Sequence, residues 1–283
     1  MHLKTAKALA ITCILSIVTA TSAYAGSKKE TETMTYDVYA GGIHALNAKL
    51  AISSNGQDYE ITLSSKTRGF LKTLAPWSGV FTTSGVFNKD GHAYPLEHAS
   101  ISTWKSVTEE KKYTYDGKGT FKNYKVTETN KEEDPVDKTP KDLDPDISKG
   151  TTDLLTATYQ LLRSLPQTKS CMGDSLIFDG DRSFKLVFKE TSTESLTESK
   201  YNIFQGESIY CQVEVVPDKG KWRKKPRGWL SIQEQGRKVG SLPTLWLGRM
   251  SENDPYVPVK IRVKTDYGTL FMHLTSYENK VTP

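Results

Sequence analysis

Apolar and polar residues alternate with a period of two over much of this chain. Leu46, Ala48, Leu50 and Ile52 are separated by polar or small neighbours, and Tyr59, Ile61 and Leu63 repeat the pattern after Asn55-Gly56. An Asn-Gly pair between two alternating runs is a strong hairpin signal, because the tight turn needs residues that tolerate positive φ. Comparable runs follow at Val80–Phe87, Leu96–Trp104, Lys111–Tyr115 and Phe121–Thr127, with turn residues at Lys89-Asp90-Gly91 and Asp116-Gly117. In the second half, Phe184, Leu186 and Phe188 alternate after Asp179-Gly180-Asp181. The segments Ser208–Val216, Gly228–Gln233, Val257–Thr265 and Thr269–Tyr277 extend the series. The periodicity predicts about ten antiparallel strands, each with one buried face.

One segment breaks this period. Leu154, Thr158, Leu161 and Leu165 fall at helical spacing, and Leu155 and Leu162 widen the stripe. The spacing predicts a helix over Asp153–Leu165, with Thr151 or Thr152 at its cap, Asp153 near its positive end and Pro166 just beyond its last turn. A stripe this broad is expected to be buried, with Leu154, Leu161 and Leu165 as the helix's core residues packed on the concave side of a sheet.

The stretch Glu132–Asp146 has another character. It holds Glu132, Glu133, Asp134, Asp137, Asp142, Asp144 and Asp146 among three prolines. Such a composition predicts a flexible, solvated acidic loop at about residues 130–150 rather than a packed strand. The triplet Asp142-x-Asp144-x-Asp146 has the spacing of a calcium loop, but Ile147 occupies the position where the turn needs glycine, and Asp153 replaces the bidentate glutamate. No metal site is expected.

The N-terminus changes the picture most. Lys4 and Lys7 precede an apolar run over Ala8–Ala20, and Ala23-Tyr24-Ala25 supplies small residues at both positions that a signal peptidase reads. Met1–Ala25 is therefore expected to be a cleaved secretory signal, leaving one exported domain over 26–283 in the periplasm. Cys13 lies inside the apolar run and leaves with it, which argues against a lipid-modified N-terminus. Two cysteines remain, Cys171 and Cys211. In an oxidising compartment they are most simply one disulfide; a redox pair is the alternative, although no Cys-x-x-Cys is present. The net charge of the whole chain is only +5, too weak a field to argue for nucleic acid.

A search for chemistry mostly returns absences. There is no Gly-x-Ser-x-Gly, no His-Glu-x-x-His and no phosphate-binding loop, so no enzymatic activity and no cofactor are expected. Gly117-Lys118-Gly119 is a turn, and His92 and His98 are too loosely placed to be read as metal ligands. Two stretches carry binding character. Lys219–Arg227 gathers Lys221, Arg223, Lys224 and Lys225 around Trp222. This reads either as a solvated hairpin tip or as a basic tip that meets an acidic partner or anionic lipid at a membrane surface. Phe70–Phe87 is rich in large apolar residues and reads as packing onto the sheet or, less simply, as a flap over an apolar pocket.

Several landmarks fall in a characteristic order. Tyr36-x-Val38-x-x-Gly41-Gly42-Ile43 is followed by Tyr59-x-Ile61, the helix before Cys171, Phe178-Asp179-Gly180, Tyr210-Cys211-x-Val213, Pro258-Val259-x-Ile261-x-Val263 and Tyr267-Gly268-Thr269. This arrangement resembles the bacterial exported family designated domain of unknown function 3108, in particular its cysteine-bearing branch. The residues Asp153-Leu154-Leu155-Thr156 depart from a serine common near the family's helix start, and the acidic insert is foreign to its core. The resemblance implies an all-β fold: a curved antiparallel sheet, a β-spiral or half-barrel, wrapped around one central helix. That fold is similar to periplasmic lipoprotein carriers and cell-envelope integrity proteins. It also implies a Cys171–Cys211 bridge and supplies no catalytic residue.

The expectation is a non-enzymatic periplasmic protein serving envelope integrity, which binds a protein partner or an apolar ligand on the concave sheet. A carrier of lipid or lipoprotein is the neighbouring reading. An envelope hydrolase is the reading from another class; it would need two carboxylates about 5–9 Å apart in a cleft.

Overall fold

The alternating segments assemble into one antiparallel sheet. The computed structural model describes residues 28–131, 133–222, 229–238, 240–265 and 268–282. The expected signal segment Met1–Ala25 and three members of the basic tip, Arg223, Lys224 and Lys225, lie outside them.

The first half contains β1 (Lys29–Ala40), β2 (Ile43–Ser54), β3 (Asp58–Thr67), helix α1 (Gly69–Leu74), β4 (Trp77–Phe87), β5 (Ala93–Trp104), β6 (Val107–Tyr115), β7 (Phe121–Asn130) and the short β8 (Val136–Asp137). Helices α2 (Pro145–Ser148) and α3 (Leu154–Thr168) follow. The second half contains β9 (Gly173–Phe178), β10 (Arg182–Leu196), β11 (Gly206–Gly220), α4 (Trp229–Lys238), β12 (Thr244–Gly248), β13 (Val257–Thr265) and β14 (Gly268–Thr282).

Among the described residues the sheet has 14 strands in the order β8-β7-β6-β5-β4-β3-β2-β1-β14-β13-β12-β11-β10-β9. Each half is a meander, and the two halves join where β1 pairs with β14. The Asn55-Gly56 hairpin forms as expected: Gly56 has φ +83°, and the Asn55 Oδ1 accepts from the backbone N–H groups of Gln57 and Asp58 at 2.9 and 2.7 Å. Its register sets Leu50 opposite Leu63 and Ile52 opposite Ile61, so one face of the hairpin is apolar.

The sheet curves until its two ends meet. Tyr113 and Tyr124 of β6 and β7 pack at a tilt with ring centroids 4.7 Å apart. Tyr124 and Phe121 pack edge-on against Phe178 of β9, and the Tyr113 hydroxyl donates to the Asp179 carbonyl at 3.0 Å. Aromatic pairs of this geometry add roughly 0.5–1.5 kcal/mol each beyond burial.

The inner face receives α3. Ala157, Leu161, Leu162 and Leu165 pack with Ile177, Leu186, Phe188, Val213 and Leu247 of the second half, while Tyr159 packs with Tyr59, Met34 and Ile52 of the first. Cys171 and Cys211 are bonded, with Cα atoms 6.3 Å apart and both fully buried. The bridge ties the exit of α3 to β11. A pair of cysteines joined in this way suits an oxidising compartment.

Several details differ from the sequence reading. The helix is capped by Asp153 itself, which accepts from the backbone N–H groups of Leu155 and Thr156 at 2.9 and 3.0 Å, and Pro166 lies inside the last turns. The acidic stretch is not wholly solvated. Val136–Asp137 pairs with β7, Thr139 bonds Val126, and Leu143 and Ile147 rest on the aromatic cluster at the sheet ends.

Of the segment expected to be a strand at Gly228–Gln233, residues Trp229 to Gln233 belong instead to α4, and Gly228 lies outside the described residues. β12 pairs β11 only over Ile209–Gln212, which leaves Val215 without a strand partner on that side. The Gln233 amide takes that place, accepting from Val215 N–H at 2.5 Å and donating to Val215 carbonyl at 2.8 Å. β1, β8, β9 and β12 were not expected: β12, Thr244–Gly248, is short and buried on both faces, so it shows no alternation.

Candidate functional site

The interior is not filled. Beside the N-terminal half of α3 lies a chamber of about 420 Å³, within the roughly 300–1,000 Å³ typical of ligand sites. Tyr36, Leu50 and Leu63 from β1–β3 form one wall. Phe184, Leu186, Phe188, Val213 and Val215 from β10 and β11 form the other, and Leu245, Ile261 and Met272 from β12–β14 close the back. The helix contributes Leu154, Leu155 and Thr158. The strand period explains the lining: every second residue of Phe184–Phe188 and of Val213–Val215 points inward.

Leu154 corrects one expectation. It is not a core residue of the helix but 46% exposed, because its side of the first turn of α3 faces the chamber. Leu161 and Leu165 are buried as expected, at 8% and 0% exposure. Trp222 also differs from a projecting tip. Its ring lines the chamber, meets Phe184 edge-on at 6.5 Å and lies under the Arg182 guanidinium at 4.4 Å. Its indole N–H donates to the Lys219 carbonyl at 3.0 Å. Arg182 is held in turn by Asp179 at 2.8 Å. Lys221 is exposed. Phe70 and Leu74 on α1 are also exposed, at 69% and 59%, so α1 neither packs tightly on the sheet nor lines the chamber.

A buried polar network fixes the helix start beside this chamber. Asp153 accepts from the hydroxyls of Thr83 (2.9 Å) and Thr156 (2.6 Å). Thr83 also bonds His98 Nδ1 at 2.7 Å, and the Tyr59 hydroxyl meets Thr156 at 2.8 Å. A Cβ on Gly85 would collide with the Tyr59 hydroxyl, so glycine there lets Tyr59 reach the helix. Burial pushes the His98 imidazole below its ordinary pKa, and the Asp153 carboxylate only partly opposes it. Thr83, Asp153 and Thr156 are each at most 2% exposed, so this network anchors α3. His92 and His98 are not brought together as ligands: His92 packs at a tilt against Tyr94, and His98 bonds Thr83. Among the described residues no three His, Cys, Asp or Glu side chains are placed to hold a metal ion.

A second hollow of about 520 Å³ borders the C-terminal half of α3. Tyr159, Leu162, Arg163 and Pro166 line it from the helix; Glu30 and Glu32 from β1, Ile52 and Ser54 from β2, and Arg249, Glu252 and Asp254 from the β12–β13 loop complete it. Glu32 is the residue that sequence reasoning missed. It shares a strand face with Met34 and Tyr36, and the alternation that buries those two buries its carboxyl as well, leaving it 9% exposed. Burial, then the neighbouring Glu30 and Asp254 carboxylates, push the Glu32 carboxyl up to about 8. The signal was present in the period-two spacing Glu30, Glu32, Met34, Tyr36.

These features define a class: an all-β protein built on one curled antiparallel sheet, with an apolar chamber beside an internal helix. The chain belongs to the family described as Protein of unknown function (DUF3108), whose model matches residues 35–275. Among solved structures it is similar to a beta-barrel-like protein of domain of unknown function DUF1849 from Brucella abortus. That likeness has 12% identity and a TM-score of 0.46, covering 88% of this chain and 98% of the other. No curated protein matches the chain. No described helix is long and apolar enough to cross a membrane.

Proposed function

We propose that this protein is a non-enzymatic periplasmic protein of envelope homeostasis, and that it works by holding the apolar chain of a lipid or acylated molecule inside its sheet. The single observation that carries this reading is the chamber of about 420 Å³. A small domain that served only as a scaffold would fill such a space, since interiors are normally packed to crystal density. Here the walls are leucine, isoleucine, valine and phenylalanine side chains that gain by excluding water, at about 0.8 kcal/mol for each methylene a ligand buries there. Arg182 and Trp222 stand at the rim, where an apolar site meets polar groups that orient its ligand.

The test is native mass spectrometry of gently purified protein, paired with displacement of a fluorescent fatty acid. A co-purifying acyl ligand and saturable probe binding are expected. Leu154→Glu places a carboxylate in the chamber while suiting the positive end of α3, so it should abolish probe binding without unfolding the protein. A clean ligand-free mass together with no saturable probe binding would overturn the proposal.

A further inference from the structure

One end of the sheet gathers large apolar side chains that the core does not use. The ladder pairs Trp77 of β4 with Trp104 of β5, and Trp104 with Val107 of β6. Leu63, which lines the chamber, stands opposite Phe81, and two strand periods along β4 lead from Phe81 to Trp77. Trp77, Trp104 and Val107 therefore lie on the concave face, yet Trp104 is 50% and Val107 37% exposed. At the same end α1 joins β3 to β4. Its Phe70 and Leu74 stand one helical turn apart, and none of its six residues is buried. The Arg68 backbone N–H donates to the Ala45 carbonyl at 2.9 Å, which sets α1 beside the start of β2, where Ile43 is 60% exposed. The Lys105 backbone N–H donates to the Pro76 carbonyl at 3.0 Å and ties the β5–β6 turn to the exit of α1.

Apolar side chains exposed singly need no partner, but a group of them on neighbouring turns of one rim does. The rim runs from β2 to β6, about 19 Å along the sheet at the usual strand spacing. Its charges select the partner. Lys72 on α1 and Lys105 in the β5–β6 turn are exposed beside the apolar groups, and among the described residues neither meets a carboxylate. Arg68 is exposed as well; its guanidinium donates to the Asn47 Oδ1 at 2.7 Å, and the same amide donates to Asp37. The other acids of this end, Glu133 and Asp134, follow β7, on the far side of β6 from α1. Apolar side chains on protruding turns, flanked by free lysines, match the boundary of a lipid bilayer. There tryptophan settles at headgroup level, phenylalanine and leucine enter the acyl region, and lysine stems reach back to anionic heads.

We infer that this rim is a membrane-docking surface, and that its partner is a bilayer carrying anionic phospholipid. Phe70, Leu74 and Trp104 enter the interface, and Lys72 and Lys105 hold the headgroups. The inference goes beyond the carrier reading and does not depend on it: the rim shares no residue with the chamber lining, and it docks whether the chamber is filled or empty. It also gives the apolar stretch that begins at Phe70 a role that neither packing nor the chamber supplies.

Flotation of the exported protein with phosphatidylcholine vesicles, with and without phosphatidylglycerol, tests this. The protein should float with the anionic vesicles and do so less as salt rises. Lys72→Gln and Lys105→Gln should each lower partitioning into anionic vesicles about fivefold, and Phe70→Ser should lower it about tenfold. All three side chains are exposed, so the thermal midpoint should not move. Leu154→Glu, which removes probe binding in the chamber, should float as the parent does, and Phe70→Ser should bind the fluorescent fatty acid as the parent does. Absence of flotation, equal flotation with neutral and anionic vesicles, or flotation that survives Phe70→Ser and both lysine changes overturns the inference. Each of these outcomes leaves the carrier reading to its own probe assay.

Discussion

Replacing Glu32 with glutamine should change how stability depends on pH, and the size of the change follows from the burial of one carboxyl. In an unfolded chain this side chain titrates near 4.5, and in the fold it is pushed up to about 8. Between those values the folded state holds a proton that the unfolded state has released. Stability from this group is therefore fully present below 4.5 and is lost as pH rises toward 8. At pH 7 the loss is on the order of 3 kcal/mol, and at pH 5 about 1 kcal/mol, taking about 1.36 kcal/mol per pH unit. The wild-type protein should thus lose about 2 kcal/mol more than Glu32→Gln between pH 5 and pH 7. Glutamine keeps the shape and cannot ionise, which makes the difference between the two curves a measure of this group alone. The other groups around it, Glu30, Asp254, Arg163, Arg249, Tyr36 and Tyr277, are common to both proteins. Urea unfolding at the two pH values reads the effect as a midpoint difference of about 1 M. Parallel pH profiles for the two proteins would refute the argument, because they would mean the Glu32 carboxyl is solvated or paired in the fold.

Other outcomes follow from the same contacts. Exchanging Cys171 and Cys211 together for serine opens a loop of 40 residues and should cost about 4 kcal/mol on the chain-entropy model, seen as a lowered thermal midpoint that reducing agent no longer shifts. Asp153→Ala removes the cap of α3 and the acceptor for the Thr83 and Thr156 hydroxyls. It should destabilise by about 3 kcal/mol in denaturant, with faster amide exchange at Leu155 and Thr156. Gln233→Ala leaves both backbone groups of the Val215 peptide edge unpaired and should cost about 2 kcal/mol in the same assay; an unchanged midpoint would show that water replaces the amide.

The legible parts of the sequence were those where one local rule governs. The Asn55-Gly56 hairpin, the alternation of Phe184–Phe188 and the stripe of α3 each follow from a single period or a single turn requirement, and each appears in the fold. The pairing of Cys171 with Cys211 was legible once the compartment was inferred. What was missed depends on neighbours remote in sequence. Whether Leu154 is core or cavity wall depends on how far β1–β3 stand from β10–β14. Trp222 looked like part of a basic tip because its lysine neighbours dominate the composition, but the ring turns onto Phe184 and Arg182. Gly228–Gln233 reads as a strand until Gln233 is needed as a side-chain substitute for one. Glu32 was visible in register but carries no local mark of burial; that comes from β2 and β14 on either side, which set Ile52 and Asn279 opposite it.

Strand order also explains why there is a hollow to occupy. Each half of the sheet is a meander, and β1 and β14 meet in its middle, so β8 and β9 are left at opposite ends. The chain between them runs through the concavity, and α2 and α3 are that connection. Thr152 reaches the far edge as an isolated parallel bridge to Ile177, and the Asp153 network then holds the helix start to β4 and β5 through Thr83 and His98. About eight strands make a barrel that side chains alone can fill. A curled sheet of fourteen encloses more than its side chains occupy, and one 15-residue helix takes up only part of the excess. The space left beside its first turns is walled by β1–β3 and β10–β14 and is largely apolar. The space beside its last turns is walled by the start of β1 and the β12–β13 loop and is charged. An interior that is apolar at one end of a helix and zwitterionic at the other is thus a consequence of where the connection crosses.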